Sequence, residues 1–268
     1  MRTDGRMSSA ENRHIEPLER AKIPSEDRLV AEHGVKPQFE IPEIASQRDD
    51  SIKVGICTPT MGSVPEDCVA AMDNFLLNVS ELFRIQRFMV KSCPVGAARN
   101  ALVQMALDNN CTHILFIDAD MIPSPRALPD LLAWDKDIIS GLCFHKTPPY
   151  HIAARKKGVQ GLEHMSLDDI KSEIVEVAAI GMAFALIRAE VFRDMPSPWF
   201  DCRGGVGCGE DIDWSLNVSK LGYKIFLDPH VEVGHFGVIS DRRLHEAFIN
   251  TFGLHGQVTT PYGINYKW

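Results

Sequence analysis

The sequence predicts an α/β protein whose central sheet is mostly parallel and covered by helices on both faces. Three observations predict this fold. Apolar strand-like runs alternate with helix-like segments, the third run is almost continuously apolar, and the second half of the chain turns to shorter strands. Right-handed crossovers join strands that alternate with helices, and they make the neighbouring strands parallel. The shorter strands are expected to form a small mixed sheet that completes a ligand site.

The first unit of the pattern is a strand followed by a helix. Residues 52–58 (IKVGICT) have the composition of a buried strand. The next helix is predicted from Pro65 to Phe83 because apolar residues recur there at intervals of three and four positions. These residues are Val69, Met72, Leu76, Val79 and Phe83.

The same alternation continues along the chain. It predicts a strand at 86–92, a helix at 96–110, a strand at 112–118, a helix from about Pro125 and a strand at 137–144. In the second half, 173–192 and the stretch from Tyr223 to Phe236 predict short strands around one helix that begins near Glu210.

Composition divides the chain into three parts. Residues 1 to about 50 are rich in Glu, Arg, Ser and Pro, with few aromatic residues, which is typical of a mobile or loosely docked arm. A catalytic domain is expected at 51–240. Residues 241–268 are expected to form a C-terminal extension that packs on or near the site.

Charge and cysteine content limit the classes of function. The formal net charge of −8 argues against general affinity for nucleic acid. The seven cysteines are scattered and form no Cys-x-x-Cys pair, so they predict neither a disulfide framework nor a zinc ribbon. The N-terminal segment carries charges where a signal peptide needs an apolar core, and no apolar run approaches the roughly 20 residues of a membrane span. We expect a cytoplasmic protein without a transmembrane segment.

A carboxylate pair is the sharpest chemical feature of the sequence. Asp118 and Asp120, separated by Ala119, directly follow the apolar strand HILFI. In parallel sheets, ligands bind beyond the carboxyl ends of the strands. Two such acids can hold Mg²⁺ or Mn²⁺, which bridges diphosphate oxygens. The structural alternative is that Asp120 caps the following helix while Asp118 is a solvated strand end.

The segment 98–132, in which Ala-Arg-Asn precedes this strand, resembles the central part of GT-A glycosyltransferases, especially the broad family-two-like group. The resemblance covers about 51–237. It implies the Rossmann-like GT-A fold, a nucleotide-diphosphate sugar as donor, and Mn²⁺ or Mg²⁺ as cofactor. By the same resemblance, Thr58, Pro59 and Thr60 border the base and ribose, Arg99 faces the base or the phosphates, and Asp118 and Ala119 contribute to the donor site.

The resemblance also assigns roles in the second half. A glycine-rich loop leads into Glu210 and Asp211, where the family has its catalytic base, so Asp211 is the favoured base and Glu210 orients the acceptor or the loop. His235 corresponds to a histidine that often completes the metal site with Asp118 and Asp120. His230 is the fallback, and a turn or core histidine is the structural alternative.

These features predict a metal-dependent, inverting glycosyltransferase that moves one sugar to an unidentified hydroxyl acceptor, such as a glycan or a small molecule. The chain lacks the Gln-x-x-Arg-Trp motif of processive members, which favours single-sugar transfer. The alternatives are a nucleotidyltransferase, although the first strand lacks its lysine-bearing signature, and an inactive nucleotide-sugar-binding protein. A structural zinc protein built on Cys202, Cys208 and His230 is a remote third.

Overall fold

The computed structural model describes residues 48–91, 94–159, 161–171, 173–201 and 209–236, with 242, 245–246, 257–259 and 265–267. The predicted N-terminal arm and C-terminal extension lie almost entirely outside the described residues, and both therefore stay predictions.

The first half of the described chain alternates strands and helices as its apolar pattern predicts. Its elements are β1 (Asp49–Thr60), α1 (Glu66–Leu82), β2 (Phe83–Lys91), α2 (Val95–Asp108), β3 (His113–Ile117), β4 (Met121–Ile122), α3 (Ala127–Ala133) and β5 (Ile138–Leu142).

The second half contains the predicted short strands, a hairpin and an additional short helix. Its elements are β6 (Ala154–Gly158), β7 (Gly161–His164), a 3₁₀ helix (Leu167–Ile170), β8 (Val175–Val177), β9 (Ala179–Ile180), β10 (Phe184–Arg188), α4 (Ala189–Asp194), α5 (Glu210–Lys220), β11 (Ile225–Glu232), β12 (Gly234–His235), β13 (Gln257–Thr259) and β14 (Asn265–Lys267). The β6–β7 hairpin was not predicted because its strands are polar and, apart from Ala154, none of their residues is buried.

The central sheet has the strand order β2-β1-β3-β10-β5-β11-β8. Strands β2, β1 and β3 are mutually parallel, and so are β5 and β11, while β10 runs antiparallel to both of its neighbours and β8 is antiparallel to β11. Five of the seven strands therefore share one direction. The predicted fold class, a mostly parallel sheet with a mixed second half, is confirmed.

Helices cover both faces of this sheet. Along β3, Ile114 and Phe116 point to the core that holds the apolar faces of α2, α4 and α5, whereas Leu115 and Ile117 point to the core that holds α1 and α3. Successive side chains of a strand point to opposite faces, so a continuously apolar strand must be buried on both sides. This geometry explains why HILFI lacks polar residues.

The apolar face of α1 is rotated relative to the predicted one. The buried residues of this helix are Cys68, Met72, Phe75 and Val79, whereas Val69 is 43% exposed. Spacing alone allows either stripe, and the bulky Phe75 ring packs edge-on against Phe184 in the core. The prediction of Val69 as a core residue was therefore wrong.

Aromatic packing holds the start of α5 against the sheet. Trp214, fully buried in α5, stacks on Phe200 with ring centroids 5.9 Å apart and lies 5.7 Å from Phe192 of α4. Burial of an aromatic side chain contributes about 1.5–3 kcal/mol. The residues that open α5 are therefore carried by a helix that is firmly docked.

The topology also determines where a ligand can bind. Strand β1 lies between β2 and β3, and the helices that follow β1 and β2 pack on opposite faces of the sheet. Such a switch in direction opens a crevice at the carboxyl ends of the strands. No helix among the described residues is long and apolar enough to cross a membrane.

Candidate active site

A cleft of about 460 Å³ lies at the carboxyl ends of β1 and β3. Residues from the end of β1, the start of α2, the turn after β3 and the segments that follow β5 and β12 line it. They are Pro59, Thr60, Met61, Ser63, Pro65, Val95, Asp118, Ala119, Asp120, Lys146 and Phe236. The three-residue turn Asp118-Ala119-Asp120 thus forms part of the cleft wall.

Asp118 leaves β3 in a fixed orientation. Its backbone N–H donates to the carbonyl of Ala183 at 3.0 Å. Its carboxylate accepts hydrogen bonds from Nη2 of Arg99, at 3.1 Å on Oδ1 and 3.3 Å on Oδ2. Burial raises the pKa of Asp118, and the positive charge of Arg99 opposes that rise. The carboxylate therefore depends on Arg99 to carry its charge in this partly buried position.

Arg99 joins the two acidic segments from below the cleft. It is only 4% exposed, and its Nη1 donates to the carboxylate of Glu210, while its Nη2 binds Asp118. Burial raises the pKa of Glu210 as well, again opposed by Arg99. Arg99 is not among the residues that line the cleft. It occupies a buried position between two carboxylates instead of the ligand-facing position that the resemblance implies.

Asp120 faces the opposite way and binds different partners. Its carboxylate accepts a hydrogen bond from the ammonium of Lys146 and lies 3.3 Å from Nε2 of His235. Burial alone would raise the pKa of Asp120, but the hydrogen bonds from His235 and Lys146 outweigh it and lower the pKa to about 2. Asp120 is thus an ionised acid at the wall of the cleft.

The pairing of two short strands holds His235 beside Asp120. Strand β12 pairs with β4, which places His235 opposite Met121, and the N–H of Phe236 donates to the carbonyl of Asp120 at 2.8 Å. The Nδ1 of His235 lies 3.0 Å from the carbonyl oxygen of Phe144. A carbonyl oxygen and an ionised carboxylate both only accept, so Nδ1 donates to the carbonyl of Phe144 and Nε2 donates to Asp120 when no cation lies between them.

This arrangement fits the chemistry of a hard or borderline divalent cation. In metal sites, a ligating imidazole commonly donates its second N–H to a backbone carbonyl, which fixes the tautomer and the ring orientation. His235 has that partner, and its Nε2 faces a carboxylate oxygen. Among the described residues, however, no group of three His, Cys, Asp or Glu side chains is arranged to hold a metal ion. Asp118 is directed to Arg99 instead.

The predicted base and ribose wall is divided between the core and the cleft. Pro59 and Thr60 line the cleft, and the Thr60 hydroxyl accepts a hydrogen bond from the N–H of Gly62 at 3.0 Å. Thr58 is only 1% exposed, and its hydroxyl has no hydrogen-bond partner among the described residues. Thr58 therefore belongs to the floor beneath the turn.

Asp211 and Glu210 open α5 but have different surroundings. Glu210 is turned to Arg99, whereas Oδ1 of Asp211 accepts a hydrogen bond from the N–H of Ile212 at 2.8 Å. A Cβ at Gly209 would lie 2.6 Å from the same Oδ1. A glycine at this position therefore leaves room for the Asp211 carboxylate. Asp211 is not among the residues that line the cleft and lies beside Gly181.

One charged residue of the cleft, Lys146, was not predicted from the sequence. It follows β5 in the polar segment FHKTPP, and nothing in the local pattern distinguishes it from a solvated lysine. The available signal was its position after a buried strand, the same signal that identified Asp118. Of the alternative zinc ligands, Cys202 and Cys208 lie outside the described residues, and His230 is exposed.

Comparison with known proteins matches part of the chain to a family. Residues 85–157 match the model of the Anp1 family, a family of glycosyltransferase-like mannosyltransferases. The match covers α2, β3 and the Asp118–Asp120 turn. No curated protein matches the chain.

Three solved structures resemble the fold at low identity. The protein A197 from STIV is 17% identical, with 81% of this chain and 93% of that chain covered and a TM-score of 0.49. Apo-UDP-glucose pyrophosphorylase is 9% identical, with 75% and 97% covered and a TM-score of 0.41. The inositol-1-phosphate CTP transferase from T. maritima is 9% identical, with 75% and 96% covered and a TM-score of 0.41. At these TM-scores the resemblances say nothing about the chemistry of this chain.

Proposed function

We propose that this protein is a metal-dependent glycosyltransferase that uses a nucleotide-diphosphate sugar and transfers one sugar, with inversion, to a hydroxyl acceptor. The observation that carries the proposal is that Asp120 lies beside the Nε2 of His235, whose ring is oriented by the carbonyl of Phe144, at the wall of a cleft of about 460 Å³. The match of residues 85–157 to the Anp1 family supports the same class.

In the proposed site, Asp120 and His235 would hold a Mn²⁺ or Mg²⁺ ion, with the carboxylate of Asp118, which also binds Arg99, as a further oxygen ligand. Such an ion would supply positive charge to stabilise a departing nucleoside diphosphate. Pro59 and Thr60 contact the base and ribose from the wall of the cleft. The small side chain of Ala119 leaves space between the two acids.

Asp211 is the proposed general base. Its carboxylate takes the proton of the acceptor hydroxyl as that oxygen bonds to the anomeric carbon of the sugar, and the nucleoside diphosphate leaves with the electron pair of the broken bond. A single displacement of this kind inverts the anomeric configuration. Glu210 acts as a positioning residue, because its carboxylate is bound to Arg99 and thereby fixes the first turn of α5.

A screen of nucleotide sugars tests the proposal. Purified protein with Mn²⁺ should slowly hydrolyse its donor without acceptor and release nucleoside diphosphate, and chelation of the metal should stop this release. A nucleotidyltransferase would instead release pyrophosphate from a nucleoside triphosphate and a sugar phosphate. Binding of a nucleotide sugar without any turnover would indicate the inactive binding protein. Either of these two results would refute the proposed function.

A further inference from the structure

Lys146 is a cation on the wall of the cleft. It lies in the segment after β5, its side chain is 45% exposed, and its ammonium donates to the carboxylate of Asp120. The ammonium of a half-exposed lysine is held by a weak ion pair on a flexible stem, so it can exchange partners at little cost.

The charges of the cleft point to a partner for this ammonium. Among the described residues that line the cleft, Asp118 and Asp120 carry negative charge and Lys146 alone carries positive charge. Arg99, which binds Asp118 from behind the cleft wall, is buried and already bound to two carboxylates. A diphosphate in this cleft therefore meets Lys146 as the accessible cation of the wall.

Asp120 is shared between two kinds of positive charge. Its carboxylate binds Lys146 and also faces Nε2 of His235, the side from which a metal ion would be held. An ammonium and a divalent cation that use the same carboxylate compete for it. Conversely, once a cation binds Asp120, the ammonium is free for the oxygens of a phosphate.

We infer that Lys146 is a diphosphate-binding residue that rests on Asp120 in the free protein and competes there with the divalent cation. This inference rests on the proposed function, because it takes the cleft to hold the diphosphate of a nucleotide sugar. Lys146 would then contact and orient the leaving diphosphate. The competition at Asp120 also gives a reason why cation and donor bind together.

The inference predicts opposite effects of one substitution. Lys146→Met keeps the alkyl stem and removes the charge. Binding of Mg²⁺-pyrophosphate, measured by calorimetry with saturating Mg²⁺, should weaken about tenfold to hundredfold, the range for loss of a charge-assisted hydrogen bond. Binding of Mn²⁺ alone, measured by electron paramagnetic resonance, should become about twofold to fivefold tighter, because an exposed competing ion pair is lost.

Two control variants separate direct contact from general charge. Lys171→Met removes an equal charge from an exposed pair with Asp168, neither of which lines the cleft, and should leave both affinities unchanged. Lys146→Arg should retain most of the pyrophosphate affinity. If the two affinities of Lys146→Met fall together, or if neither changes, the inference is wrong. If the opposite shifts appear while no nucleotide sugar is turned over, the proposed function fails and the inference about Lys146 stands.

Discussion

Two acidic pairs share one arrangement around Arg99. They are Asp118 with Asp120, and Glu210 with Asp211. In each pair one acid binds the buried Arg99, namely Asp118 in the turn after β3 and Glu210 at the start of α5. The other acid in each pair has no bond to Arg99 among the described contacts. Asp120 is turned to Lys146 and His235, and Asp211 lies beside Gly181.

This difference gives one acid of each pair a positioning role, as the partner of Arg99, that the other acid lacks. A guanidinium that is buried between two carboxylates fixes the relative position of two segments that lie 92 residues apart, at positions 118 and 210. The acids that it does not bind remain available to a ligand. Adjacency in sequence therefore does not make the members of an acidic pair equivalent.

Replacement of the proposed base should have the largest effect on catalysis. Asp211→Asn preserves shape but cannot accept a proton, so turnover should fall on the order of 10²–10⁴-fold with nearly unchanged donor affinity. Steady-state kinetics and the anomeric configuration of the product, read by NMR, measure this. Asp213→Asn makes the same chemical change in the same helical turn and should leave turnover per folded molecule unchanged. Normal turnover in Asp211→Asn, or a retained anomer, would remove Asp211 from the role of base.

Removal of the shared guanidinium should have the largest effect on stability. Arg99→Met leaves the partly buried carboxylates of Asp118 and Glu210 without their cation, and the cost should approach the about 3–5 kcal/mol that is typical when one partner of a buried ion pair is lost. Urea denaturation measures the free energy of unfolding. Arg126→Met, which breaks an exposed pair with Asp130 on α3, should cost about 0.5 kcal/mol or less. Equal losses in the two variants would show that Arg99 does not hold the acidic segments together.

The two acids of the turn should respond differently to the same change. Asp118→Asn weakens the bond to buried Arg99 and should lower the free energy of unfolding by about 1.5–3 kcal/mol, the range for a hydrogen bond to a charged group. Asp120→Asn weakens the bonds to half-exposed Lys146 and to His235 at the cleft wall, and should cost less, about 1 kcal/mol. Both variants should lose the Mn²⁺-dependent binding of UDP or GDP in calorimetry. A larger stability loss in Asp120→Asn would contradict the division of roles.

The position of the site was predictable from sequence because it depends on sheet topology. A continuously apolar strand followed by two acids specifies where Asp118 and Asp120 emerge, and the strand alternation specifies that a crevice lies there. The local pattern predicts the position of the acids but not their side-chain partners. It carries no information about which of two adjacent acids turns towards a helix that is distant in sequence, so the bond between Arg99 and Glu210 was not predicted.

The structure of the polar segments was also not predicted from the sequence. The hairpin β6–β7 and Lys146 lie in stretches without apolar periodicity, where single residues acquire a role only through tertiary contacts. Similarly, spacing allowed two apolar stripes on α1, and only the fit of Phe75 against Phe184 selects one of them.

The opposite end of β3 offers a smaller test, because it buries a base instead of an acid. His113 is 7% exposed, and burial, aided by the charge of Arg188, lowers its pKa to about 4. In the unfolded chain its pKa is about 6.5. Between these values the unfolded state binds the proton and the folded state does not, so the free energy of unfolding falls as the pH falls, by at most about 1.4 kcal/mol per pH unit. The raised pKa values of Asp118 and Glu210 act in the opposite sense, because an acid whose pKa is raised by folding favours the protonated folded state as the pH falls.

Urea denaturation of the wild type and of His113→Asn at pH 7.5 and pH 5.5 isolates the contribution of the histidine. The loss of stability between the two pH values should be smaller in the variant by roughly 1 kcal/mol. An identical loss in both proteins would mean that His113 is protonated in the folded state at pH 5.5. Burial would then shift the pKa only of Asp118, at the other end of β3.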